Sequence, residues 1–172
     1  MARFFTIVFL AFMGCGYTTR GFVYKENSIY IKPVVNKISI TSEDRAYSCY
    51  INYPILLEKK LTNILVNKFN IDGHLKVSDA KGGALRLVCR ITDYTKEPLR
   101  YTDSDEVKEQ RLRLKVHLIL YSSEGTVLKE KDVVGETSFF ISGSLTKTEV
   151  SAQDDLLDDT ARRIVEAVVE NW

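Results

Sequence analysis

The chain has 172 residues, of which 45% are hydrophobic and 27% charged, and its formal net charge is +1. That is an ordinary globular balance, in a chain long enough for one domain with a real core. Near-neutrality excludes the overall electrostatic footprint of a nucleic-acid binder, so any anion recognition must come from a local patch.

The first element is a leader. Arg3 is the single charge before position 20, and Phe4–Met13 is apolar except for Thr6. A short positive end, an apolar middle and a small residue at a cut site form the layout of a secretory signal. Ten helical residues reach about 15 Å, roughly half a bilayer core, so the stretch is too short to be a comfortable membrane span. Gly14-Cys15-Gly16 follows. A cysteine directly after the cut resembles the bacterial lipobox, in which that cysteine is acylated and becomes the mature N-terminus. Phe12 and Met13 depart from the usual Leu and Ala or Ser of that motif. Residues 1–14 are therefore expected to be a lipoprotein signal peptide, and 15–27 a lipidated N-terminus and linker with Cys15 the lipidated residue. Residues 28–172 are expected to form a single α+β domain. Several acyl chains on one cysteine make a firm tether, where one chain would be marginal.

Ile29–Val35 is rich in β formers, and Pro33 places it at a strand end or an edge. Asn36–Asn52 is polar and reads as loop, with room for a brief strand over Lys37–Ile40. Pro54 marks a helix start, where its missing N–H costs nothing. Leu57, Leu61, Ile64, Leu65 and Phe69 then follow helical spacing, and Asp72-Gly73 ends the run. His74–Val77 is a short strand. Ala84–Thr95 is a longer one, with Leu85, Leu87, Cys89 and Ile91 on one face and Arg86 and Arg90 on the other. Lys96–Val107 contains Pro98, is polar, and reads as a mobile connection. Gln110–Tyr121 is the clearest strand: Leu112, Leu114, Val116, Leu118 and Leu120 alternate with Arg111, Arg113, Lys115 and His117. Ser122–Gly125 is a hairpin turn. Thr126–Ile141 returns as a strand, with a disruption expected at Gly135.

The last helix is expected over Glu149–Asn171, its apolar face made of Leu157, Ala161, Ile164, Val165, Val168 and Trp172. Asp154, Asp155, Asp158 and Asp159 crowd its first half. Without the glycine-punctuated loop of an EF-hand they read as macrodipole compensation and solvated pairs, with Asp158–Arg162 and Asp159–Arg163 at i,i+4. The order gives an α+β two-layer sandwich: two amphipathic helices on one face of a mostly antiparallel, four- to five-stranded sheet. Cys49 and Cys89 are able to pair in an oxidising compartment only if their geometry allows it, and Cys89 sits in a buried strand pattern.

Catalytic patterns are missing from the sequence. His74 and His117 lie in predicted strands with no partner at metal-ligand spacing, Gly82-Gly83 is an isolated pair, and no Gly-x-Ser-x-Gly nucleophile motif occurs. No catalytic residue, metal or cofactor is expected. The wet faces of the long strands carry Arg86, Arg111, Arg113, Lys115, Lys129 and Lys131. If those strands are neighbours, the cations line up as a patch for phosphate or another anionic head group. The competing reading is a charged face that simply solvates the sheet, with Glu109, Glu130 and Asp132 close by.

Taken together, the landmarks resemble the LptE family of lipopolysaccharide (LPS)-assembly lipoproteins. They are Gly14-Cys15-Gly16-Tyr17, the strand Ile29–Asn36, the helix segment Leu57–Thr62, and Tyr94, Pro98 and Tyr101 closing the Ala84–Tyr101 stretch. Glu109–Leu120, the turn Gly125–Leu128 and Ala161–Val165 complete them. The long polar segment Asn36–Asn52 and the two extra cysteines depart from the family. The resemblance implies an outer-membrane, lipid-anchored, periplasm-facing protein that plugs an LptD-type β-barrel and helps insert LPS into the outer leaflet. It implies direct LPS contact, for which the six cations are candidates, and no nucleic-acid partner. The alternative is a periplasmic lipoprotein that recruits or activates a cell-wall enzyme or a secretion pore.

Overall fold

The computed structural model describes residues 24–38, 53–79 and 82–170. The expected leader, Cys15, Cys49 and Trp172 lie outside those residues.

The β-rich run near the start splits in two, into β1 (Ser28–Ile31) and β2 (Val35–Asn36). Pro33 sits in the gap, where its missing N–H interrupts no ladder. Helix α1 (Leu57–Asp72) follows, then β3 (Lys76–Val77). Three long strands come next: β4 (Leu85–Tyr101), β5 (Val107–Tyr121) and β6 (Val127–Phe140). Helix α2 (Glu149–Val169) ends the fold. The sheet has six strands in the order β3-β1-β4-β5-β6, with β2 also on β4. Strands β1, β2 and β3 pair in parallel, and only β4-β5-β6 is antiparallel. The α+β two-layer class stands. The sheet is mixed and larger than the four to five mostly antiparallel strands expected, because three short strands add on the far side of β4.

The segment Lys96–Val107, read as a mobile connection, is instead mostly strand. β4 continues to Tyr101, and the turn is only Thr102–Glu106, closed by Thr102 N–H to Glu106 O at 2.7 Å. Pro98 is tolerated because, among the described residues, nothing pairs with β4 beyond Ile91 on the side away from β5. A bulge between Ile91 and Asp93 inserts one extra residue. It switches the inward parity of β4, so that Tyr94 points into the core where the earlier pattern would place an odd-numbered residue.

Both helices cover one face. α1 buries Leu57, Leu61, Leu65 and Phe69, one side chain per turn. It begins after Leu56, which is left-handed at φ 63°, so Pro54 lies in the preceding turn and not at the first helical position. Gly73, at φ 74°, closes it with N–H to Phe69 O at 3.1 Å. α2 starts on Thr148, whose hydroxyl accepts from Ser151 N–H at 3.3 Å. It buries Leu156, Leu157, Ala161, Ile164, Val165 and Val168. The helices run in the same direction, joined by Lys60–Asp154 at 3.2 Å and Lys68–Asp158 at 2.7 Å. Asp158 therefore bridges to α1 and not to Arg162. Asp159 holds both Arg162 (2.5 Å) and Arg163 (2.7 Å), and Asp155 meets Lys147.

Gly135 does not disrupt β6: it pairs with Leu114 in an unbroken ladder. A Cβ there would lie 2.0 Å from Thr160 Oγ1 and 2.8 Å from Thr160 Cα. The glycine is the place where α2 touches the sheet backbone. Cys89 is buried and free, its thiol pushed up to about 12 by burial.

Candidate functional site

With both helices on one side, the other face of the long strands is left open among the described residues. Register decides which residues share it. Directly opposed residues point the same way, so the open face carries the rows Tyr30–Arg86–Tyr121, Arg90–His117–Asp132, Asp93–Lys115–Val134, Thr95–Arg113–Glu136 and Glu97–Arg111–Ser138. Arg86, Arg111, Arg113 and Lys115 therefore do lie on one surface.

The middle of that surface is self-neutralised. Arg113 sits between Glu97 and Glu136, at 3.5 Å from each. Lys115 reaches Asp132 at 3.0 Å. His117 is held by Asp132 on Nδ1 at 2.8 Å and by Glu130 on Nε2 at 3.0 Å. Hydrogen bonds from His117 and Lys115 hold the Asp132 carboxyl below its ordinary range. These are solvent-exposed pairs, each worth well under about 1 kcal/mol. Their effect is on the field: carboxylates from β4 and β6 cancel the basic row of β5.

The two ends of the face differ from its middle. Among the described residues Arg86, Arg90 and Arg111 form no ion pair. The Arg86 guanidinium lies over the Tyr121 ring, 4.6 Å from its centroid. A guanidinium held over an aromatic face is positioned without spending its N–H donors on a carboxylate, which leaves them for an anion. Arg90 is exposed four residues along the same strand. The sequence places it on the same face as Arg86, but it is not among the six cations expected to contact LPS. The contribution of Tyr30 and Tyr121 needs the strand order and is invisible without it.

Lys129 and Lys131 do not belong to this surface. Lys129 is opposite Leu120 and Lys131 opposite Leu118, both inward-facing, so the two lysines emerge on the helix side of β6. Lys129 Nζ donates to Glu170 O at the end of α2, at 2.9 Å. The expected single row of six cations is thus four on the open face and two behind it.

No described helix is long and apolar enough to cross a membrane. No curated protein matches the chain. Among solved structures, rare lipoprotein B from Shewanella oneidensis aligns at 12% identity with a TM-score of 0.47, over 80% of this chain and 91% of its own. A hypothetical protein from Chlamydia trachomatis aligns at 10% identity and 0.52, over 85% and 99%. A protein from Xanthomonas campestris aligns at 9% and 0.54, over 88% and 85%. The last two are similar in fold, the same two-layer α+β arrangement. The LptE family model, described as lipopolysaccharide-assembly, matches residues 35–171. That match runs from β2 through α2, and the chain belongs to the LptE lipopolysaccharide-assembly family.

Proposed function

We propose that this protein is the lipid-anchored subunit of an outer-membrane LPS translocon. Cys15 carries the lipid, the domain plugs and supports an LptD-type β-barrel from the periplasmic side, and the open sheet face meets LPS during its insertion into the outer leaflet. Family membership supports the LPS-assembly role. The observation that carries the contact is the uneven charge of the open face: a cancelled centre beside Arg86 and Arg90, which have no carboxylate among the described residues.

Lipid A phosphates are anionic, and arginines are suited to bidentate phosphate contact. Arg86 and Arg90 are free to make it at once. Arg111 is also unpaired, at the other end of the face. Arg113 and Lys115 contribute only by exchanging Glu97, Glu136 or Asp132 for phosphate. Lys129 and Lys131, on the other side of the sheet, are expected to contribute least. A pull-down with immobilised LPS tests the ranking. Arg86→Glu with Arg90→Glu should weaken capture about tenfold or more, given roughly 1.5–3 kcal/mol per charge-assisted contact. Arg113→Glu with Lys115→Glu should weaken it less. Unchanged capture by the first pair sinks the assignment.

A further inference from the structure

Lys129 and Lys131, once removed from the open face, need their own account. They stand at the rim of a cleft of about 590 Å³ between β6, the last strand of the sheet, and the final turns of α2. Val133 and Ala167 give the cleft an apolar floor, and Arg163 adds a third cation to its wall. The volume lies within the range of small-molecule sites.

Of the acidic groups nearby, Glu170 lines the cleft and attracts Lys129, and the others are turned away or engaged elsewhere. Asp132 turns its carboxylate to the opposite face, where it holds Lys115 and His117. Glu166 is engaged with Arg162 at 2.5 Å, and Asp159 with Arg163 at 2.7 Å. Lys131 has no ion pair among the described residues. At Lys129, burial and the charge of Lys131 both disfavour the ammonium, and they outweigh the opposing pull of Glu170. Two ammonium groups in one cleft repel each other, and a bound anion relieves that repulsion.

The cleft also lies at the end of the molecule where the described chain begins. Tyr24 OH donates to Val168 O at 3.1 Å, and Glu26 accepts from Ser123 N–H and Oγ at 3.1 and 2.8 Å. From Tyr24 back to Cys15 the chain spans no more than about 30 Å even fully extended. If Cys15 is anchored in a leaflet, as the proposed function has it, this end is the one held near that leaflet.

We propose that the cleft bounded by Lys129, Lys131 and Arg163 is a second phosphate site, separate from the open face, that takes the headgroup of an anionic phospholipid. The phosphate sits between the lysines, and the glycerol and first methylenes lie on Val133 and Ala167. Occupancy fixes the rotation of the domain about its tether, which attachment at a single residue leaves free.

The test is lysine reactivity in the full chain, held in neutral detergent micelles doped with either phosphatidylcholine or phosphatidylglycerol. An amine-acylating reagent is applied and each site is read by mass spectrometry, with exposed Lys59 on α1 as the internal reference. Phosphatidylglycerol should slow labelling of Lys129 and Lys131 several-fold and leave Lys59 unchanged. Inorganic phosphate at the same concentration in the phosphatidylcholine micelles should not reproduce this. Equal rates in the two lipids, equal protection of Lys59, or full protection by inorganic phosphate would each overturn the headgroup assignment. The Arg86→Glu, Arg90→Glu chain should keep the protection, so loss of LPS contact and loss of headgroup contact are read separately.

Discussion

At the scale of single residues, Asp132 shows how the open face is tuned. Its carboxyl is held down first by the His117 hydrogen bond and then by that of Lys115. A carboxyl depressed on folding contributes stability above its ordinary value of 3.8, and that contribution is lost as pH falls through the lower folded value. The Asp132→Asn protein should therefore lose part of the fall in stability below about pH 4. A series of urea midpoints against pH checks this, and an unchanged acid limb would contradict the pairing. Tyr94 is the opposite case. Its ring is fully buried, edge-on to Tyr53 with centroids 5.9 Å apart, and its hydroxyl makes no hydrogen bond of good geometry among the described residues, with the Gln153 side chain as a polar neighbour that only partly offsets its burial. Burial, with the charge of Glu149, pushes that hydroxyl up to about 12. Tyr94→Phe removes an unsatisfied group and keeps the ring, so it should raise stability by about 1 kcal/mol in urea unfolding. A loss of that size would mean the hydroxyl is satisfied after all.

At the scale of elements, the close approach of β6 and α2 is the most demanding contact. Thr160 is fully buried and donates to Leu156 O at 2.6 Å, so it has little freedom to yield. Gly135→Ala places a methyl against both its hydroxyl and its Cα, and should cost about 3 kcal/mol, the upper end of overpacking. Adding Thr160→Ala removes only the hydroxyl clash and should restore part of the loss, which thermal unfolding of the two variants will show. The sequence makes the existence of these elements clear. Alternation in Leu112–Leu120 gives β5, and the stripe Leu57, Leu61, Leu65, Phe69 gives α1. It does not show relations between elements. Gly135 looks like a strand breaker until Thr160 is opposite it. Pro98 looks like the end of a strand until β4 beyond Ile91 is seen to carry, among the described residues, no partner on its outer side. The parity of Lys129 against Lys115 depends on the register set by the β5–β6 turn and on the irregularity at Leu120/Tyr121, and a one-residue change of register moves every side chain to the other face. For that reason the six-cation row was legible as six cations but not as two groups.

At the scale of the whole molecule, the fold separates three surfaces. The helices close one face of the sheet, the other face carries a charge-cancelled centre with free arginines at its ends, and the Lys129–Lys131 cleft lies beside the start of the described chain. Under the proposed function, the open face would offer its partners a polar centre of paired charges with unpaired arginines beside it. The central claim is the barrel partnership, and its most direct measurement is affinity purification of this protein after mild detergent extraction of intact outer membranes. The account predicts that one large β-barrel protein co-elutes in fixed proportion. Recovery of the chain from those membranes with no barrel partner would contradict it.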